Sequence, residues 1–132
     1  MIHIYKLKPD NMKRISLFLT FCLFILLVGC AKDESVSIRV KNISPYDFSS
    51  IQVWETKYGR LLSNQTSDYK LYESAYTNNY IKLIIGSDTL EYYLIDIVGP
   101  TNLEPGKYTY KIDVIEFEGL RIVQPELLDD QE

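Results

Sequence analysis

Hydrophobic and polar side chains alternate along several short stretches of this chain, which is the pattern of half-buried β-strands. The first stretch, 35–41, places Val36, Ile38 and Val40 on one face and polar residues between them. The clearest stretch, 107–115, alternates tyrosines and aliphatic residues with lysine, threonine and aspartate. Each segment is therefore predicted to lie with one face on a core and the other in water.

Further strands are predicted between turn signals that recur about every ten residues. They span 50–56, 60–63, 68–74, 80–85, 89–97 and 120–124. The hairpin signal Gly86-Ser87-Asp88 separates two of them. No segment between these strands shows a convincing helical pattern of apolar residues. About seven strands therefore predict an all-β fold, a single antiparallel β-sandwich. The acidic stretch from Pro125 predicts a solvated tail.

An apolar run at 15–28 follows the short basic segment Met12-Lys13-Arg14. Its length suits the hydrophobic region of a signal peptide better than a membrane span of about 20 residues. The basic segment also makes Met12 a candidate initiator. The predicted organisation is a signal peptide at 1–29, a tether at 30–35, a β-sandwich domain at 36–124 and an acidic tail at 125–132.

The run ends at Leu27-Val28-Gly29-Cys30, which resembles the lipobox of bacterial lipoproteins. The resemblance implies that the leader is cut before Cys30 and that lipid on this cysteine holds the protein on a membrane. An uncleaved membrane anchor is the alternative, and it would tether the chain as well. Ala31 does not resemble the aspartate of the inner-membrane retention signal, so the outer membrane is the expected location.

Two short segments resemble signals known from lipoproteins of Bacteroidetes. Lys32-Asp33-Glu34 resembles their surface-export signal, which implies display on the cell surface; an ordinary charged tether is the alternative. Asp88-Thr89-Leu90 resembles their O-glycosylation signal, which implies a glycan on Thr89.

Leu103-Glu104-Pro105-Gly106-Lys107-Tyr108 resembles the entry to a late strand in immunoglobulin-like and prealbumin-like sandwiches. The resemblance implies a tyrosine corner, in which the hydroxyl of Tyr108 bonds back to the backbone. Together with the Val-x-Ile-x-Val-Lys-Asn strand at 36–42, this segment resembles small uncharacterised lipoprotein domains of Bacteroidetes. That resemblance brings no catalytic residues.

Cysteine and histidine are absent after Cys30, since the other cysteine is Cys22 and the single histidine is His3. A mature domain of this kind can form no disulfide within itself, and it cannot catalyse a reaction by a Ser-His-Asp or Cys-His mechanism. The carboxylates available for a glycosidase-like pair are Glu91, Asp96, Asp113 and Glu116. Most of them occupy solvent-face positions of strands. Asp129-Asp130 is weak support for calcium. No enzyme, cofactor or metal is predicted.

Four of the 14 basic and one of the 18 acidic residues precede Cys30, which leaves 10 against 17 and a net charge of −7. This balance disfavours nucleic acid, whose binding requires phosphate neutralisation. Ten of the 11 tyrosines remain, and they suit recognition of a glycan or a protein partner, although tyrosine also simply favours strands. Trp54 is expected to pack in the core. The predicted role is a non-catalytic binding or adaptor module; a structural envelope component is the alternative.

Overall fold

The computed structural model of the chain describes residues 13, 34–77, 80–94, 99 and 101–131. The chain divides into two units, Met1–Lys32 and Asp33–Glu132, and all the described residues except Lys13 lie in the second. The predicted lipidation site Cys30 lies outside the described residues, as do Lys32 and Asp33. Within the described part of the chain, no helix is long and apolar enough to cross a membrane.

Eight β-strands make up the described part of the second unit, and they form two four-stranded sheets. The strands are β1 (Val36–Asn42), β2 (Phe48–Val53), β3 (Thr56–Leu61), β4 (Lys70–Tyr72), β5 (Ile81–Ile85), β6 (Asp88–Tyr92), β7 (Gly106–Phe117) and β8 (Leu120–Asp129). One sheet has the order β4-β1-β7-β8 and the other β3-β2-β5-β6. The prediction of an all-β sandwich is confirmed.

One strand pair departs from the antiparallel arrangement that the sequence predicts. Strands β1 and β7 run parallel, in a register that leads from Val36 opposite Gly106 to Asn42 opposite Ile112. The two strands are about 70 residues apart in sequence, so no tight turn forces them to be antiparallel. All the other named pairs are antiparallel.

The core lies between the two sheets and follows the alternation in the sequence. Every second residue of β1 is buried, as is every second residue of β5, from Ile81 to Ile85. The largest fully buried side chain is Phe48, at the start of β2. Burial of each such side chain contributes roughly 1.5–3 kcal/mol, so the two central strand pairs supply most of the apolar stabilisation.

The predicted solvated tail at 125–132 is wrong over most of its length, because β8 continues to Asp129 and pairs with β7 throughout. Pro125 lies opposite Ile112, whose carbonyl accepts a hydrogen bond from the amide of Ile43 at 3.0 Å and so points away from β8. The missing N–H of Pro125 therefore faces the outer edge of the sheet, where it removes no ladder bond. Leu127 then packs against the core.

Candidate functional site

The domain has two ends that differ in what they expose. The first, called the entry end, is where β1 begins at Val36. The second, called the hairpin end, is where β7 turns into β8 at Glu118 and Gly119. The sheet β3-β2-β5-β6 has the same two ends. Tyr72 lies opposite Val36, and its hydroxyl reaches the carbonyl of Val53 at 3.4 Å, so β2 ends at the entry end.

Large hydrophobic side chains are exposed at both ends of the described domain. Those at the hairpin end are Ile43, Leu62, Phe117, Leu120 and Ile122. Those towards the entry end are Trp54 and Leu71, while Tyr93 and Leu94 follow β6, and Tyr93 lines a groove with Arg121 and Ile122 of β8. Because contiguous apolar patches on a protein surface mark contact sites, these two sets are the candidate functional surfaces.

The β7–β8 hairpin projects beyond the rest of its sheet. Ile112 is the last residue of β7 that pairs with β1, where its partner is Asn42. Strand β7 continues five residues further and ends with Phe117 opposite Leu120. Glu118 and Gly119 have φ values of 50° and 76°, the pair of positive angles that defines a two-residue type I′ turn. Phe117 is 60% exposed and Leu120 is 68% exposed, so a stiff ladder displays two apolar side chains at its tip.

Polar contacts hold the base of this hairpin against the neighbouring loops. Arg121 forms a 3.0 Å ion pair with Asp88 of β6, and its guanidinium lies 4.6 Å from the ring centre of Tyr46. The hydroxyl of Tyr46 in turn donates to Glu116 at 3.3 Å. Exposed contacts of this kind contribute little stability, so their main effect is to orient the hairpin.

A buried amide fixes the loops beneath the hairpin end. Asn42 is fully buried, and its Nδ2 donates to the carbonyls of Tyr46 at 2.7 Å and Leu61 at 3.2 Å. Its Oδ1 accepts from the amide of Ser44 at 3.0 Å and from the same residue's hydroxyl at 2.7 Å. This satisfied network is the structural role of the asparagine that ends the Val-Lys-Asn strand.

Trp54 is the most unusual residue of the entry end. Its side chain is 47% exposed, so the prediction that it packs in the core is wrong. It lies in the turn between β2 and β3 with a φ of 54°, which is rare for a bulky residue. Its amide donates to Tyr80 at 2.7 Å, its carbonyl accepts from Gln52 at 2.8 Å, and its ring meets Tyr76 edge-on at 6.2 Å.

Tyrosine hydroxyls fasten the two sheets together near the entry end. The hydroxyl of Tyr58 on β3 donates to the carbonyl of Ile38 on β1 at 2.9 Å and lies 3.0 Å from the hydroxyl of Tyr72 on β4. Burial, as the largest cause, raises the pKa of both hydroxyls. Both groups therefore stay protonated in the folded domain above the pH at which free tyrosine ionises.

Two further tyrosines secure loops at this end. The hydroxyl of Tyr108 donates to the carbonyl of Glu104 at 2.9 Å, which is the bond that a tyrosine corner requires. Burial raises the pKa of this hydroxyl too. Tyr110 donates to the carbonyl of Thr77 at 3.2 Å and so holds the segment that follows β4.

The tyrosines do not form the open stacking surface that a sugar-binding sheet would need. Among the ten tyrosines that the structure describes, only Tyr93 is exposed, and most of the rest use their hydroxyls within the fold. For example, Tyr69 donates to Asp130 at 2.8 Å and Tyr80 donates to Glu91 at 2.8 Å. Their main use is structural.

The other predicted site residues that the structure describes are not gathered into one cluster, although Thr89 lines one surface groove with Glu91 and another with Glu116. Thr89 is exposed in β6, next to the turn that joins β5 to β6, and Glu34 is exposed before β1. The candidate carboxylates each accept from a different neighbour: Glu91 from Tyr80, Glu116 from Tyr46 and Asp113 from the amide of Val114 at 2.8 Å. Asp96 lies outside the described residues. Within the part that the structure describes, no three acidic, histidine or cysteine side chains are arranged to hold a metal ion.

No family model, curated protein or solved structure matches the chain. Sequence reasoning missed the hairpin end as a surface, since it ended the last strand at Gln124 and placed a loop over 116–119. The signal that could have found it was the Glu118-Gly119 pair between two alternating segments, which is a hairpin pattern.

Proposed function

We propose that the protein is a lipid-anchored lipoprotein of the outer membrane, displayed on the cell surface, whose β-sandwich is a non-catalytic binding module for a protein partner. The anchor is proposed from the lipobox-like segment that ends at Cys30. The binding role is carried by one observation, the exposed apolar tip of the β7–β8 hairpin.

The composition of this tip suits a protein interface. Phe117, Leu120 and Ile122 are 60%, 68% and 42% exposed, respectively, although exposure of large apolar side chains to water is unfavourable. The hairpin is held by a continuous ladder and a tight turn, so little conformational entropy would be lost on binding. Such a preformed apolar tip is typical of the core of an interface with a polar rim.

A protein partner is better supported than a glycan. The tip is mostly aliphatic, whereas sugars are held by flat aromatic rings with polar groups around them, and most tyrosines are engaged within the fold. A structural component with no ligand, the other candidate, gives no reason for apolar side chains on a projecting hairpin.

Site-specific photocrosslinking on intact cells tests the binding role. A photoreactive residue in place of Leu120 should give a discrete adduct with one partner, and the additional change Phe117→Ser should abolish that adduct. The matched control is the same residue in place of Leu71, which is 72% exposed but towards the other end of the domain. Equal adducts from both positions, or none from position 120, would contradict the proposal.

The anchor and its location need separate tests. Cys30→Ala should leave the leader uncut and prevent lipid labelling; unchanged processing and labelling would argue against the lipobox. Replacing Lys32, Asp33 and Glu34 by alanine should protect the protein from external protease while it stays membrane-bound. Continued digestion from outside would remove the export signal from the proposal. If Thr89→Ala lowered the mass only by the difference between a threonine and an alanine residue, Thr89 would carry no glycan.

A further inference from the structure

The backbone of Trp54 is held in a costly conformation that presents its indole to the outside. A left-handed conformation costs a non-glycine residue roughly 1–2 kcal/mol. Hydrogen bonds on both its amide and its carbonyl fix this conformation, while its ring keeps 47% of its surface exposed. A strained backbone that exposes the largest apolar side chain is better explained by a contact outside the domain than by stability.

The turn that carries Trp54 lies at the end of the domain where the tether enters. Val36 begins β1 and lies opposite Tyr72, and the hydroxyl of Tyr72 reaches the carbonyl of Val53, the residue before the tryptophan. Val36 lies six positions after Cys30 in the sequence, and six residue steps span at most about 20 Å. A lipid on Cys30 would therefore keep this end within about 20 Å of the membrane surface.

Other exposed side chains at the entry end also suit contact with a membrane surface. Leu71 is 72% exposed on β4, between Tyr72, whose hydroxyl reaches the carbonyl of Val53, and Lys70, whose Nζ donates to the carbonyl of Lys57 at 2.7 Å. Lys57, three residues after the tryptophan, is exposed as well. Tryptophan favours the boundary between lipid headgroups and hydrocarbon, and lysine favours an anionic headgroup layer.

We propose that the entry end lies against the membrane, with the indole of Trp54 in the headgroup layer of the leaflet that holds the lipid of Cys30. This inference rests on the lipid anchor proposed above. The bilayer is then a second attachment that limits rotation of the domain about its tether, and it leaves the hairpin end facing away from the membrane.

Fluorescence provides a direct test, because Trp54 is the single tryptophan of the chain. The full lipidated protein is purified in detergent and reconstituted into vesicles of phosphatidylethanolamine and phosphatidylglycerol. On reconstitution, we expect the acrylamide quenching constant to fall about threefold and the emission to shift to shorter wavelength, as an interfacial indole would. Lipids brominated near the headgroup should quench the emission strongly.

A matched control moves the fluorophore to the opposite end. The variant that combines Trp54→Phe with Phe117→Trp should keep its acrylamide quenching constant on reconstitution and escape quenching by brominated lipid. Flotation of the same vesicles reports the anchor independently. Floating protein whose Trp54 stays as accessible as in detergent would overturn the membrane contact alone, whereas protein that does not float would overturn the anchor and the contact together.

Discussion

The two ends of the sandwich are stabilised by different chemistry, although one core runs between them. At the entry end, phenol hydroxyls reach across from one sheet to the other, as Tyr58 does to the carbonyl of Ile38. At the hairpin end, the buried amide of Asn42 holds two loops, and the hairpin itself depends on its own ladder. One end is therefore fastened between sheets, and the other projects as a single stiff element.

This difference bears on what each end can do. At the entry end, hydrogen bonds on the backbone hold Trp54 at a fixed position, which suits contact with an extended layer. The hairpin end is narrow, with Phe117 and Leu120 at its tip, which suits insertion into a concave partner. Substitutions at the two ends should therefore differ in the size of their effect on stability.

The largest effect is expected at Asn42. The substitution Asn42→Ala removes the buried partner of the Leu61 carbonyl and of the Ser44 amide. The hydroxyl of Ser44 and the carbonyl of Tyr46 keep the 3.2 Å bond that they form with each other. The free energy of unfolding should fall by about 3 kcal/mol, since each unsatisfied buried group is costly. Urea unfolding measures this loss. The control is Asn102→Ala, on an exposed residue at the other end, which should cost less than about 0.5 kcal/mol; equal losses would show that Asn42 has no special role.

Much of the fold follows from the sequence, because the period of two places the same residues inward in the pattern and in the structure. The buried residues of β1 and the alternation of β7 were both predicted. The extent of β8 was not, because Pro125 is acceptable there only in the register that turns its missing N–H outward. That register is set by the pairing of Pro125 with Ile112, and the local sequence pattern around Pro125 does not indicate this distant partner.

The second effect concerns the hydroxyls of the entry end at high pH. Burial raises the pKa of Tyr58 in the folded state, so its stabilising contribution is complete below pH 10. Above pH 10, the unfolded chain loses this proton first, and the free energy of unfolding falls by up to about 1.4 kcal/mol per pH unit for each such tyrosine. The substitution Tyr58→Phe should make this decline less steep, as measured by urea unfolding between pH 9 and pH 11.

Two outcomes distinguish this explanation from general alkaline unfolding. Asn102→Ala should keep the wild-type decline, since it removes no ionisable group. A decline as steep in Tyr58→Phe as in the wild type would mean that the buried hydroxyls near the entry end do not determine its alkaline limit.

The candidate surfaces were harder to predict than the core. Alternation along the second strand indicates only that Trp54 faces away from Ile51 and Val53; it does not reveal that the chain turns there in a left-handed conformation. That conformation depends on the carbonyl of Tyr80, which lies on a later segment. The tyrosine corner was easier, because Glu104 and Tyr108 are only four residues apart.

The smallest effects compare the two strained residues, Glu118 at the hairpin end and Trp54 at the entry end. Asparagine tolerates a positive φ better than either, so Glu118→Asn, which creates an Asn-Gly turn, should raise the free energy of unfolding by about 0.5–1 kcal/mol. Trp54→Asn gains the same relief but loses the edge-on contact with Tyr76, worth about 0.5–1.5 kcal/mol. Its net effect on urea unfolding should therefore lie near zero. A loss above about 1.5 kcal/mol would mean that Trp54 is retained for the stability of its own end, and its exposure would then need no membrane to explain it.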